Sequence, residues 1–368
     1  MRFKIIFNTV GIILKFVCIM FLLPIIGAVC FREFTSVLPF LTGGIVCYIL
    51  GVLFCKNDAK EKDFDTVTRM EGFAAVVLLW IMFGIICTVP FLFYDLTPIN
   101  ALFEAFSGVS TTGATIITDY SIYPKTFFLY RALIQWLGGM GVIVLFIAVL
   151  PKFAVAGRQM FFAESPNPTE EKITPRIRFT ASWLWSIYIC LTIIQIIVLK
   201  FMGLSLYDSI CESLATISAG GFSNRPTSLI GFEDKIIWTI GFFAFLAGVN
   251  FLLTYKVIIK GKILEPFKSE EFRGYLFIVL IFTGLIFWTL YSSYIEPPSI
   301  MEILKHSFYE TAVTITSTGS CSIDYSNWPL RTKILLFCLM FIGGSAISAS
   351  GSIKITRWIY VVKFIRKE

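Results

Sequence analysis

The stretch SGVSTTGATII (Ser107–Ile117) interrupts a chain that otherwise runs from one apolar segment to the next. It is small, hydroxyl-bearing and glycine-containing, the composition of a tight turn. It can neither cross a bilayer nor pack as core. The chain repeats it twice, as ATISAGGFSN (Ala215–Asn224) and VTITSTGSCS (Val313–Ser322). With Gly113, Gly220 and Gly319 taken as equivalent, the separations are 107 (220 − 113) and 99 (319 − 220) residues. A structural unit that recurs at a near-fixed period is the mark of a repeat architecture.

Each turn follows a short, half-apolar segment: INALFEAFSGV, YDSICESLATI and ILKHSFYETAVTI. A membrane helix needs about 20 apolar residues, so these segments suit re-entrant helices. One apolar span stands on either side, and the unit reads span, short helix, glycine loop, span. Spans are expected near Ile12–Val29, Val37–Phe54, Phe73–Phe93, Phe127–Leu150, Ser182–Phe201, Ile236–Val257, Leu276–Tyr294 and Ile334–Ile342, the last resuming after a break. The 368 residues are 57% hydrophobic and 16% aromatic, with mean hydropathy +0.80, beyond the range of a soluble domain. The first run is too long and too lightly punctuated for a signal peptide. The expected fold is an all-α polytopic membrane protein: a two-helix unit (1–64), then parallel repeats at 65–156, 157–262 and 263–368.

The net charge of +7 sits in alternate loops: Lys56, Lys60, Lys62 and Arg69; Lys152, Arg158, Lys172, Arg176 and Arg178; Lys256, Lys260, Lys262, Lys268 and Arg273. Lys354, Arg357, Lys363, Arg366 and Lys367 follow near Glu368. By the positive-inside rule these loops and both termini are cytoplasmic. No basic patch forms apart from them, which argues against a nucleic-acid partner. Asp95, Glu104, Asp119, Asp208, Glu212, Glu233, Asp234, Glu296, Glu302, Glu310 and Asp324 fall on the opposite side. They read either as an acidic vestibule that concentrates cations or as ordinary solvated loop charge. The nine cysteines form no CxxC pair and His306 is alone, so neither a disulfide framework nor a structural metal site is expected.

This charge map makes each short helix and loop dip in from outside and return. Irregular backbone at membrane depth is tolerated where protein or water covers its polar groups, and loops gathered on one axis meet that demand. Glycine frees the carbonyls to turn inward, hydroxyls add oxygens, and such rings replace the water around an alkali cation. The filter residues are then Thr111, Thr112 and Gly113; Ser218, Ala219 and Gly220; Ser317, Thr318 and Gly319. An alkali cation would bind there as cargo, with no other cofactor. A further break, FIGGSAISASGSIKITR (Phe341–Arg357), places Gly343, Gly344, Ser345, Ser348, Ser350 and Gly351 inside an apolar span. It reads as a small-residue helix contact or as a loop with a function of its own. Lys354 and Arg357 either snorkel to the interface or set a positive barrier on the cation path.

At these residues the chain resembles the Trk/Ktr/HKT superfamily of potassium transporters, most closely its bacterial TrkH/TrkG membrane subunits. ALFEAFSGVSTTGATI, LATISAGGFSN and TITSTGSCSIDYSNWP are similar to the family's pore helices and filters; QWLGGMGVIVLFIAVLP and KITPRIRFTASWLWSIYICLT also match. The resemblance implies potassium uptake across the bacterial plasma (inner) membrane, a homodimer, and a TrkA-like cytosolic nucleotide-binding ring as regulator. It makes Phe341–Arg357 an intramembrane gate beneath the filter. The cytoplasmic loops Arg158–Arg178 and Lys256–Arg273 become candidate docking surfaces. Ala219, Ser320, Cys321, Ile347, Ala349 and Ser352 depart from the family's usual residues. The family has four repeats and this sequence shows three, so the expectation is a partial transporter whose fourth repeat is missing or supplied by another chain. No phosphate loop of the G-x-x-x-x-G-K-[ST] type occurs, and no paired carboxylates or nucleophile with its base argue for an enzyme. The potassium-binding subunit of a P-type ATPase complex and a sodium-permeable relative are the alternatives.

Overall fold

The computed structural model describes residues 1–55, 68–141, 176–294 and 298–367. Among them five helical stretches are long and apolar enough to cross a membrane: Phe3–Cys30, Phe34–Cys55, Met70–Phe91, Ser182–Phe201 and Glu270–Tyr291. The described structure is helical with no strands, as the sequence predicts. Two compact units divide it, 1–110 with 114–186, and 111–113 with 187–368.

In the first unit, α1 (Phe3–Val17) and α2 (Leu22–Cys30) form one stretch joined by a 3-10 turn, and α3 (Val37–Cys55) returns beside α1. Their crossing is made by small residues. A Cβ on Gly11 would lie 2.8 Å from Gly51 O, and one on Gly51 3.0 Å from Gly11 O, the close approach that packs helices where no water drives them together. Helix α4 (Arg69–Phe91) opens with a capping box between Thr68 and Glu71. Glu71 also accepts from Arg2 N, Nε and Nη2, which ties the start of α1 to the start of α4. The first short helix is α5 (Pro98–Val109) and its following span begins as α6 (Lys125–Gly139). Glu33 caps α6 from the two-helix unit, accepting from Lys125 N at 3.0 Å and Thr126 N at 2.9 Å.

The unit boundary falls within α7 (Arg176–Phe201). The second unit continues with α8 (Leu206–Ile217), α9 (Asp234–Ala247), α10 (Phe251–Ile258), the short α11 (Glu265–Lys268), α12 (Glu270–Tyr291), α13 (Ile300–Ile315), α14 (Leu330–Leu339) and α15 (Ile355–Lys367). Helix α13 packs against α9 and α12 around buried Tyr275, Tyr309 and Ile240. Tyr275 donates its hydroxyl to Phe245 O at 3.0 Å, so even this core pairs its polar atom.

Two expected spans need correction, and a third is described only in part. Ile236–Val257 is not straight: α9 and α10 meet at an angle of 112°. Ser345 N–H donates to Gly248 O at 2.9 Å and Asn250 Oδ1 caps Leu252 N at 2.9 Å, so the bend's freed backbone groups find partners. The helix within Phe127–Leu150 stops at Gly139, with Gly141 at φ +66°, and 142–150 lie outside the described residues. The helix within Ile334–Ile342 is α14, ending at Leu339. In the second and third repeats the second helix therefore stops short of a full crossing, at Ala247 and Leu339, where hydropathy marks only the last. The expected repeat boundaries at 64/65 and 156/157 lie outside the described residues; that at 262/263 falls between α10 and α11.

Candidate functional site

The three short helices begin alike. Thr97, Ser205 and Ser299 each accept a hydrogen bond from the N–H three residues on, at Asn100, Asp208 and Glu302. Such N-caps satisfy donors that a helix cannot pair internally. They also end alike. Ser110, Ser218 and Thr316 close the helices, and the next residue turns left-handed: Thr111 at φ +57°, Ala219 at +54° and Ser317 at +62°. In the second and third repeats the following N–H reaches back five residues, Gly220 N to Ala215 O at 2.9 Å and Thr318 N to Val313 O at 2.8 Å. That is a Schellman ending without glycine at its left-handed position.

Two residues beyond, the backbone is left-handed again, at Gly113 (φ +76°), Gly221 (+75°) and Gly319 (+77°). The repeated alternation fixes the register and corrects the sequence alignment. Gly221, not Gly220, matches Gly113 and Gly319, and the separations become 108 (221 − 113) and 98 (319 − 221) residues. The second turn is Ala219, Gly220 and Gly221, while Ser218 is the helix C-cap, its Oγ bonded to Ala215 O at 3.1 Å. Thr111–Gly113, Ala219–Gly221 and Ser317–Gly319 all belong to the second unit. The second and third turns touch. A Cβ on Gly221 would lie 1.7 Å from Thr318 O, and behind them Leu229 N bonds Cys321 O at 3.0 Å while Ser228 Oγ accepts from Cys321 N at 3.1 Å.

Glu104, Glu212 and Glu310 overturn the reading of the acidic residues. Each stands seven positions before its left-handed residue (Glu104 to Thr111, Glu212 to Ala219, Glu310 to Ser317), and each is at most 2% exposed. These three are neither vestibule nor loop charge. They strut the chain that leaves the turn: Glu104 accepts from Thr115 Oγ1 and Ile116 N, Glu212 from Ser223 Oγ at 2.8 Å, and Glu310 from Ser322 N at 2.8 Å and Ser322 Oγ at 3.0 Å. In the third strut the hydroxyl comes from one residue further on, because Cys321 occupies the place that Thr115 and Ser223 hold in the other two. Among the described residues Glu104 alone of the three adds an ion pair, 3.1 Å from Arg131 Nε. Buried carboxylates persist where they are hydrogen-bonded. The carboxylates of Asp119 and Asp324 do lie in exposed turns, held below the usual range by the hydroxyls and N–H groups of Ser121 and Ser326. Asp208 pairs with Arg225 at 3.1 Å and Asp234 with Lys305 at 2.6 Å. His306 bonds Ser322 Oγ at 2.8 Å, on the same strut as Glu310.

The loop between α14 and α15 is ordered by its own hydroxyls and by the α9–α10 bend. Gly344 N bonds Ser350 Oγ at 2.9 Å, Ser348 Oγ bonds Ser345 O at 2.6 Å, and Ser348 and Ser350 Oγ atoms lie 2.8 Å apart. Across to the bend, Ser345 N donates to Gly248 O (2.9 Å), Ala349 N to Ala247 O (3.2 Å), and Phe251 N to Ile347 O (3.1 Å). Gly343 and Gly344 sit where a Cβ would meet Gly351 O at 2.2 Å and Gly248 O at 2.6 Å. Lys354 does not snorkel. Its ammonium donates to the carbonyls of Ser348 and Ser350 and lies 3.2 Å from Ser350 Oγ. Arg357 is exposed on α15, so the two cations part company.

Half-length helices, paired left-handed turns and a serine-glycine loop are the features of a polytopic membrane protein with re-entrant segments. The profile of the family described as TrkH, Cation transport protein, matches residues 38–368. The potassium uptake protein TrkH of the Trk system of Escherichia coli K12 is 34% identical over 373 residues, covering 99% of this chain and 75% of that protein. The corresponding TrkG of the same strain is 34% identical over 359 residues, covering 94% and 71%. The crystal structure of the potassium transporter TrkH from Vibrio parahaemolyticus superposes with a TM-score of 0.87 at 30% identity, covering 100% of this chain and 76% of that one. The chain belongs to the TrkH family.

Proposed function

We propose that this chain takes up potassium across the bacterial plasma membrane as the membrane subunit of a Trk-type system. The carrying observation is the backbone itself. One left-handed, one ordinary and one left-handed residue recur after three N-capped half-helices, at Thr111–Gly113, Ala219–Gly221 and Ser317–Gly319. Alternating handedness at successive residues swings neighbouring carbonyls to one side, and oxygens so placed replace the hydration shell of a dehydrated cation. The helix C-termini behind them present partial negative charge.

The loop from Gly343 to Ser352 is the gate. A plug whose Ser348 and Ser350 hydroxyls are spent on one another and on the loop's own backbone presents fewer free hydroxyl oxygens to a passing ion. Lys354 adds a positive charge on the same path. The relatives' names support potassium as cargo, and selectivity over sodium is part of the proposal. The N-terminus and basic loops face the cytoplasm. A homodimer with a TrkA-like nucleotide-binding ring completes the assembly, the ring docking where α10 leads into α12. That surface carries Lys260, Lys262, Lys268 and Arg273; Lys56, Lys60, Lys62, Lys152, Arg158 and Lys172 lie outside the described residues. No step of this function requires the chain to make or break a covalent bond.

The test is cation flux through purified protein in liposomes. Potassium-selective flux lost in Gly113→Asp and Gly221→Asp, with folded protein retained, supports the filter. Unchanged potassium-over-sodium preference in both variants overturns it.

A further inference from the structure

Glu271 lies in the first turn of α12, outside every motif that marks the filter or the gate. Its two carboxylate oxygens nonetheless hold two other elements together. Oε1 accepts the backbone N–H of Ala346, in the middle of the gate loop, and Oε2 accepts from Asn250 Nδ2 at 3.3 Å, on the α9–α10 bend. Asn250 is itself fixed, since its Oδ1 caps α10 through Leu252 N at 2.9 Å. The loop's remaining ties to the bend are backbone hydrogen bonds at Ser345, Ile347 and Ala349. Glu271 is thus the one charged side chain, among the described residues, that bonds the loop and the bend at once. Hydrogen bonds to a charged acceptor are stronger than neutral ones.

We propose that Glu271 is a positioning residue that latches the gate loop to the α9–α10 bend, so that the loop opens when α12 withdraws this carboxylate. The inference rests on the gating role proposed above for the loop. It gives that gate a lever. Glu270, beside Glu271, pairs with Lys363 on α15 at 2.6 Å, and the short α11 packs on the start of α12. A force on the basic segment that leads into α12 would therefore act at the turn that carries the latch. Lys354 gives its ammonium's hydrogen bonds to serine oxygens of the loop, so the hydrogen bonds of the latch are those of Glu271.

The geometry allows a swap test. In Glu271→Gln the amide oxygen still accepts from Ala346, but the amide nitrogen faces the Asn250 donor. In Asn250→Asp the new carboxylate still caps α10, but it faces the Glu271 carboxylate. Each single variant breaks one arm, and the double variant E271Q/N250D restores a donor–acceptor pair. Hydrogen exchange of the Ser345, Ala346 and Ala349 amides is measured in the full chain in lipid, alongside potassium flux. Each single variant should speed exchange roughly tenfold, the factor that losing one charge-assisted hydrogen bond gives. The double variant should return it toward the parent value. Unchanged exchange in both single variants, or a double variant as fast as their combined effect, overturns the latch. Faster, swap-rescued exchange with unchanged flux sustains the latch and overturns the gating role of the loop instead.

Discussion

Gly351 lies directly against Ser317: a Cβ on Gly351 would stand 3.0 Å from Ser317 Oγ and 3.4 Å from its Cβ. The Gly343–Ser352 loop and the first left-handed residue of the third turn therefore share a surface. Neither can move far without the other, since packed elements hold discrete arrangements.

The first prediction follows from that contact. In Gly351→Val the added carbons must displace either the loop or Ser317, and potassium flux should fall severalfold. Ser317→Ala removes the oxygen they meet, and the double variant should recover much of the loss. Flux in liposomes, normalised to folded protein, decides it. No recovery in the double variant would mean that the two elements do not bear on each other.

The second concerns the filter register. Gly221→Ala puts a Cβ at φ +75° and 1.7 Å from Thr318 O. The left-handed conformation alone costs an L-residue about 1–2 kcal/mol, and backbone overlap adds to it. Gly220 has no such φ, so Gly220→Ala should keep folded, conducting protein. Comparing yield and flux of the two alanine variants distinguishes the alignments; equal tolerance would restore Gly220 as the partner of Gly113.

Much of this architecture is legible in the sequence because its signals are compositional. Half-length apolar segments ending in hydroxyl-glycine clusters announce re-entrant helices, and Phe341–Arg357 shows its break in Gly and Ser. What the sequence hides is conformational. SAGG offers four small residues in a row, and the left-handed residue that sets the register is Ala219, which no propensity marks. The α9–α10 bend is invisible to hydropathy since both arms stay apolar; only Gly248 and the capping Asn250 hint at it. Glu104, Glu212 and Glu310 mislead because charge reads as solvent contact. Their recurrence seven residues before each turn is the clue that a per-residue reading passes over.

The third prediction tests Lys354. Lys354→Met keeps the stem's length but removes the ammonium that caps the carbonyls of Ser348 and Ser350. The loop loses its internal cross-link and the path loses a positive charge. Both effects act in one direction, so basal potassium flux should rise severalfold in the absence of any regulator. Arg357→Met, on the exposed face of α15, should leave it unchanged. Equal leak in both variants would make Lys354 an interfacial cation like any other.

The last prediction ranks the three buried glutamates. Glu310→Gln and Glu212→Gln keep an amide oxygen able to accept from Ser322 and Ser223, so each should cost little beyond a weakened hydrogen bond, about 1 kcal/mol. Glu104→Gln differs, because Glu104 also faces Arg131 at 3.1 Å with both side chains at most 1% exposed. Neutralising one member of a buried ion pair costs about 3–5 kcal/mol. The strain falls at Thr115 and Ile116, the chain that leaves the first filter turn. Thermal unfolding in detergent should show Glu104→Gln well below the other two, and the pair Glu104→Gln with Arg131→Met should recover part of the loss. Selectivity measured on the surviving protein separates support from stability: Glu310→Ala, which strips both bonds from Ser322, should lower potassium preference while Glu310→Gln keeps it. Three variants of equal stability would mean that Arg131 draws its compensation from elsewhere, and that the struts are interchangeable in all three repeats.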